Sequence, residues 1–221
     1  MKNKKMSAEQ QLTIISTAIN SSHAYTARNS GKQLLTWGYT MIAILVIEII
    51  LQILLDGNWQ YFNLASIPLF LTPIFAFIAT KVIRKDNIAT ANNSKSVKTL
   101  WSVIGIVAFI VMLITTHYFT FALLLTMGVL STGLMMKERS TTICGIVGLV
   151  ASSMIPIYNF VIKPRFAQMS GWDVKREFGP FTISPVTLNI INQEIMMIII
   201  VMILFIVAGH ILNRKYNHKS E

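Results

Sequence analysis

Six apolar runs separated by short polar breaks dominate the chain: Leu34–Leu55, Phe62–Ile83, Leu100–Thr116, Tyr118–Met136, Thr141–Ile162 and Leu188–Leu212. A hydrocarbon layer about 30 Å thick is crossed by roughly 20 apolar helical residues. The pattern therefore predicts an all-α fold, a polytopic transmembrane bundle of six helices over residues 34–212, with a polar segment at 1–33 and a basic tail at 213–221. The division at His117 rests on length. As one helix, Leu100–Met136 would measure roughly 55 Å, well beyond a bilayer. The run is thus expected to turn as a hairpin near Thr115-Thr116-His117-Tyr118, leaving Tyr118 and Phe119 in the interfacial aromatic belt.

The segment before the first run carries a helix signal of its own. Ser7-Ala8-Glu9-Gln10 has the spacing of a capping box, a Ser cap answered three residues later by Gln. Leu12, Ile15, Ile19 and Ser22 follow at helical spacing. The expectation is an amphipathic helix over Ala8–Ala27, ended by Asn29-Ser30-Gly31. It reads either as an interfacial helix on the inner leaflet or as a docking helix, through residues 8–27, for a cytoplasmic protein or a second copy.

Charge orients the bundle. With the N-terminus inside, only Lys163, Arg165, Lys175 and Arg176 fall outside, against the remaining 15 of the 19 Lys and Arg residues. Cytoplasmic loops accumulate Lys and Arg, so both termini are expected in the cytoplasm. The same rule accounts for the net charge of +10 and makes the bilayer, not nucleic acid, the expected partner. A mean hydropathy of +0.59 with only 13% charged residues leaves no room for a separate soluble domain. No cleavable signal peptide is apparent after Lys2, Lys4 and Lys5, and the one cysteine, Cys144, excludes an internal disulfide.

Breaks and small residues add detail. Pro68 and Pro73 predict a kink in the second run, and Pro156 a weaker one in the fifth. Cys144, Gly148 and Ser152 recur every four residues, as do Gly128 and Thr132 on the preceding run. Small residues let helices approach in lipid, so these positions form a candidate packing face, for a tight hairpin joined by Lys137–Ser140 or for a homodimer. The external loop 163–187, with Pro164, Pro180, Pro185, Gly171 and Gly179, cannot be one continuous helix. Its Phe166, Trp172, Phe178 and Phe181 suit a flap resting on the interface or a lid over the bundle.

The candidate chemistry is sparse. Glu48 and Glu194 lie within the apolar runs, and an ionisable group at depth is by default a functional hypothesis. Gln52 stands one turn beyond Glu48, and Asn189, Asn192 and Gln193 make the outer end of the sixth run polar. The first run goes outward and the sixth inward, so both carboxyls fall in the outer half and can share one pocket. Glu48 reads either as a structural hydrogen-bonded carboxyl or as a proton- or cation-coupled site. No HExxH, GxSxG or Gly-rich phosphate loop is present. His117 and His210 fall on opposite sides and cannot share a metal or haem, so no catalytic, metal or cofactor site is expected.

Trp37-Gly38-Tyr39 at the start of the first run, Thr132-Gly133-Leu134 and Gly209–Lys215 resemble a group of small uncharacterised bacterial integral membrane proteins with a cytoplasmic N-terminal helix. The resemblance implies six spans in a bacterial inner membrane and no assigned activity. Trp37 and Tyr39 read physically as an aromatic anchor at the inner interface. The leading expectation is a non-enzymatic regulatory, sensing or assembly component acting through partners. The alternative is a small proton- or cation-coupled transporter or channel subunit using Glu48 and the polar end of the sixth run.

Overall fold

The computed structural model describes residues 7–56, 92–114, 118–158, 160, 176–178 and 181–217, with seven helical positions between 67 and 78. Most of the second apolar run, with Pro73, residues 161–162 of the fifth run, and residues 163–175 and 179–180 of the expected external loop lie outside the described residues, as does the expected turn at 115–117.

Helix α1 spans Ala8–Leu55, 48 residues, and so measures roughly 72 Å. The capping box forms: Ser7 accepts from the Gln10 backbone while Gln10 Oε1 accepts from the Ser7 backbone N–H. The expected stop at Asn29-Ser30-Gly31 does not occur, and the amphipathic segment and the first apolar run are one helix. Gly31 serves packing instead of termination. A Cβ there would meet Leu212 Cβ at 3.0 Å and the Gly209 carbonyl at 3.2 Å, and one on Gly209 would meet the Gly31 carbonyl at 2.9 Å. The paired glycines let α1 and the last helix touch backbone to backbone, the small-residue device of helices in lipid.

Helices α2 (Asn92–Ile114), α3 (Tyr118–Met135) and α4 (Arg139–Ile157) follow. Helix α2 starts before its apolar run and takes in Lys95 and Lys98. Pro156 sits near the end of α4. Between α3 and α4, the Glu138 amide donates to the Gly133 carbonyl at 2.9 Å and the Lys137 amide to Leu134 at 3.1 Å. With Lys137 at φ 52°, this is a Schellman ending whose left-handed position carries a Cβ. A short antiparallel hairpin, β1 (Arg176–Phe178) and β2 (Phe181–Ile183), pairs Glu177 with Thr182 and precedes the last helix. That helix runs from α5 (Pro185–Val201) through a π-helical segment, Met202–Val207, into α6 (Ala208–Asn217). Ser184 caps it and Pro185 occupies its first turn, where a missing N–H costs nothing.

Among the described residues, four helices are long and apolar enough to cross a membrane: α1, α3, α4 and the composite last helix. The apolar part of α2, Ser96–Val111, is shorter. The centre is filled by Met41 and Leu45 of α1, Val129 of α3, Ile155 of α4, and Met197, Leu204 and Phe205 of the last helix. Outside it, Ile47, Ile50, Leu54, Ile106, Ile110, Ile143, Val150 and Ile199 are exposed. An apolar belt of that size on a helical bundle suits lipid rather than water.

Candidate functional site

Glu48 and Gln52, one turn apart on α1, face Glu194 of α5, and the first residue of α3, Tyr118, closes the group. Glu48 and Glu194 have no exposed surface, and Gln52 is 1% exposed. The Tyr118 hydroxyl lies 2.9 Å from Glu194 Oε1 and 3.4 Å from Glu48 Oε1, and Gln52 Nε2 donates to Glu194 Oε1 at 2.5 Å. The two carboxyls are also within hydrogen-bond reach of one another. Ionised carboxylates only accept, so a bond between them needs a hydrogen on one. The buried Glu194 Oε2 and Gln52 Oε1 have no partner, which leaves acceptor capacity inside the cluster. Chemically, the group can hold one proton between two acids, pass it to a hydroxyl, or take a small cation on its oxygens.

The surroundings close this group at both ends. One turn past Gln52, Asp56 accepts from Ser184 N (2.6 Å), Ser184 Oγ (2.8 Å) and Thr187 Oγ1 (2.6 Å), tying the end of α1 to the start of α5. On the other side, Leu45 and Met197, each three residues from a carboxyl, are fully buried and exclude water.

The structure thus brings together Glu48, Gln52 and Glu194 of the residues expected in the polar pocket. Asn192 turns away, its Nδ2 donating to the Tyr158 hydroxyl at 3.1 Å and linking α5 to α4. Asn189 is half-buried, its Oδ1 without a partner, and Gln193 is half-buried on a neighbouring face of the helix. Tyr118, expected in the interfacial belt, is the bridge of the cluster, because the start of α3 lies level with the end of α1. The signal was available: Tyr118 opens the fourth run just where Glu48 nears the end of the first. Asp56, directly after the first run, was passed over because loop carboxylates usually face water.

The small residues divide between neighbours. Gly128 and Thr132 face α2: a Cβ on Gly128 would meet Ile104 at 2.9 Å, and Trp101 Nε1 donates to Thr132 Oγ1 at 3.0 Å. Cys144, Gly148 and Ser152 are buried, with Gly148 against Leu204 of the last helix. The closest approach of α3 and α4 comes instead through Gly133, against the Thr142 backbone, and Gly145, against the Leu130 backbone. Trp37, read above as an anchor, packs inward against Trp101 at 6.4 Å, whereas Tyr39 is 53% exposed and meets His210 Nε2 at 3.0 Å. At the same end Glu138, 2% exposed, takes Lys215 Nζ at 2.7 Å and the Tyr216 hydroxyl. Among the described residues, no three His, Cys, Asp or Glu side chains are placed to hold a metal ion. No family model, curated protein or solved structure matches the chain.

Proposed function

We propose that the protein is a six-span bundle of the cell membrane with both termini in the cytoplasm, and that it handles protons at the Glu48–Glu194 pair as a small transporter or channel subunit. The observation that carries this reading is the pair itself: two fully buried carboxyls that reach each other and share Tyr118. Cross-helix polar contacts in lipid are made at lower cost by Ser, Thr or Asn. A carboxyl at depth adds an exchangeable proton, which those residues lack. The direction of the helices favours six spans. Helix α1 ends beside Ser184, while Trp101, near the start of α2, lies beside Trp37 at the other end of the bundle. Helices α1 and α2 therefore run the same way, which an intervening span allows. The Lys and Arg distribution supports the orientation.

A pH jump applied to proteoliposomes adsorbed on an electrode tests the reading. The wild-type protein should give a transient charge displacement, and E48Q and E194Q should remove it while unfolding within a few degrees of wild type. No displacement above protein-free vesicles sinks the proposal.

A second reading, a regulatory or assembly component, is favoured by Leu12, Ile15 and Ile19, which are 65%, 55% and 63% exposed along the projecting part of α1. A stoichiometric cytoplasmic partner, or self-association, that is lost on deleting residues 8–21 would support it. A chain that purifies alone and monomeric removes it.

A further inference from the structure

A second polar feature, separate from the carboxyl cluster, lies where Trp37, Met41, Thr72, Trp101, Gly105 and Phe121 border a cleft with about 30 Å³ of free space. The indole Nε1 of Trp37 and the Oγ1 of Thr72 are both buried without a hydrogen-bond partner, and Thr72 is only 4% exposed. Ser140 Oγ and Thr141 Oγ1 at the start of α4 also lack a partner, but they stand apart from this cleft, and many other hydroxyls of the bundle are satisfied. Thr36, Thr40, Thr132 and Ser152 each donate to the carbonyl one turn back, and the neighbouring indole of Trp101 donates to Thr132. A Cβ on Gly105 would meet nothing within 4 Å, so the free space continues along α2.

Buried donors without partners are costly, and more so where lipid offers no water. An indole N–H can only donate, so whatever satisfies it must accept. Among the described residues the wall is otherwise hydrocarbon and aromatic ring, which disfavours a charged occupant. A single water needs roughly 10–15 Å³ of such space. The cleft therefore admits a small polar group with the carbons on either side of it, the remainder extending past Phe109, which is 40% exposed. We propose that this cleft binds the uncharged, apolar part of a molecule through a carbonyl oxygen, which accepts from Trp37 Nε1 and Thr72 Oγ1. The carbonyl can belong to the ester of a glycerolipid or to a free lipophilic ketone or quinone.

Retention of lipid through purification separates the two sources. Protein extracted from membranes supplemented with equal diester and diether phosphatidylglycerol is examined by native mass spectrometry, and duroquinone binding is measured in parallel. T72V removes a hydroxyl without a protein partner and keeps the shape, so folding should be unaffected. A glycerolipid ligand is retained about tenfold in favour of the diester, the worth of one good hydrogen bond, and the preference disappears in T72V and W37F. A free carbonyl ligand shows instead as duroquinone binding that weakens about tenfold in the same variants. Filling the cleft with G105L should remove whichever binding is seen. No ester preference together with no duroquinone binding overturns the proposal, as does any binding that T72V, W37F and G105L leave unchanged.

Discussion

The two ends of the bundle are joined by opposite means. Near the termini, α1 and the last helix meet through glycine, Gly31 against Gly209 and Gly38 against Phe205, with backbones close enough that an added Cβ has no room. At the far end the same two helices are held by side-chain oxygens: Gln52 to Glu194, and Asp56 to Ser184 and Thr187. The first junction is mainly shape, with the exposed Tyr39–His210 contact beside it, and the second is mainly hydrogen bonds. In lipid both are needed, because helices gain no hydrophobic drive against each other. The second places two carboxyls, buried and facing each other, between the helices. In the proposed reading, the group that changes state lies where directional bonds, not interlocked backbones, set the spacing.

The same limit of shape can be tested first on α4, where glycines meet α3 and the last helix. Gly145→Val places a side chain on Leu130 Cα, 2.7 Å from where a Cβ would sit, and backbone cannot yield. The expected loss is more than about 3 kcal/mol, above the usual range for overpacking, read as a collapse of folded yield or of the melting temperature. Gly148→Ala, which meets the tip of the Leu204 side chain, should cost clearly less despite a closer contact of 2.3 Å. Equal losses would show that backbone approach is not what limits this interface.

At the polar end, Glu48→Leu removes the partner of Tyr118 and Glu194 and should destabilise by about 1–3 kcal/mol. Glu48→Gln should cost about 1 kcal/mol at most while abolishing charge movement. Thermal unfolding of both variants, set beside the electrode measurement, separates a bond from a proton carrier. Asp56→Ala should cost about 1–2 kcal/mol, since three bonds from one carboxylate to the Ser184–Thr187 cap are lost. Faster deuterium uptake confined to the start of α5 is the expected sign.

The smallest effect has the opposite sign. Lys137 holds a left-handed backbone with a Cβ, so Lys137→Gly should stabilise the α3–α4 turn by about 0.5–1 kcal/mol. A lower melting temperature would mean that the Lys137 side chain contributes more than its conformation costs.

Helix existence was legible because span length in lipid is a strong constraint. The fourth run, expected at Tyr118–Met136, is helix α3 at Tyr118–Met135, and the Ser7 capping box forms. Glycine was the harder residue to read. Asn29-Ser30-Gly31 has the composition of a stop, yet Gly31 is spent on Gly209, a choice that depends on a residue far along the chain. Glu48 and Glu194 could be paired from the direction of their runs, and Gln52 from its one-turn spacing. Tyr118 could be added from the opening of its run opposite Glu48, whereas Asp56 could not, because its role depends on the Ser184–Thr187 cap far along the chain. The π-helical segment Met202–Val207 had no visible cause: its sequence is apolar throughout, without proline or glycine.

Because α1 is unbroken from Ala8 to Leu55, it is also a shaft. Whatever grips Ile19 holds the same rod that carries Glu48, roughly 44 Å further along. A helix is stiff to twist, so a torque applied at the exposed end is delivered at the carboxyl pair, where Tyr118 offers 2.9 Å to one acid and 3.4 Å to the other. Reading a partner and moving a proton would then be one motion of one helix, felt at two depths.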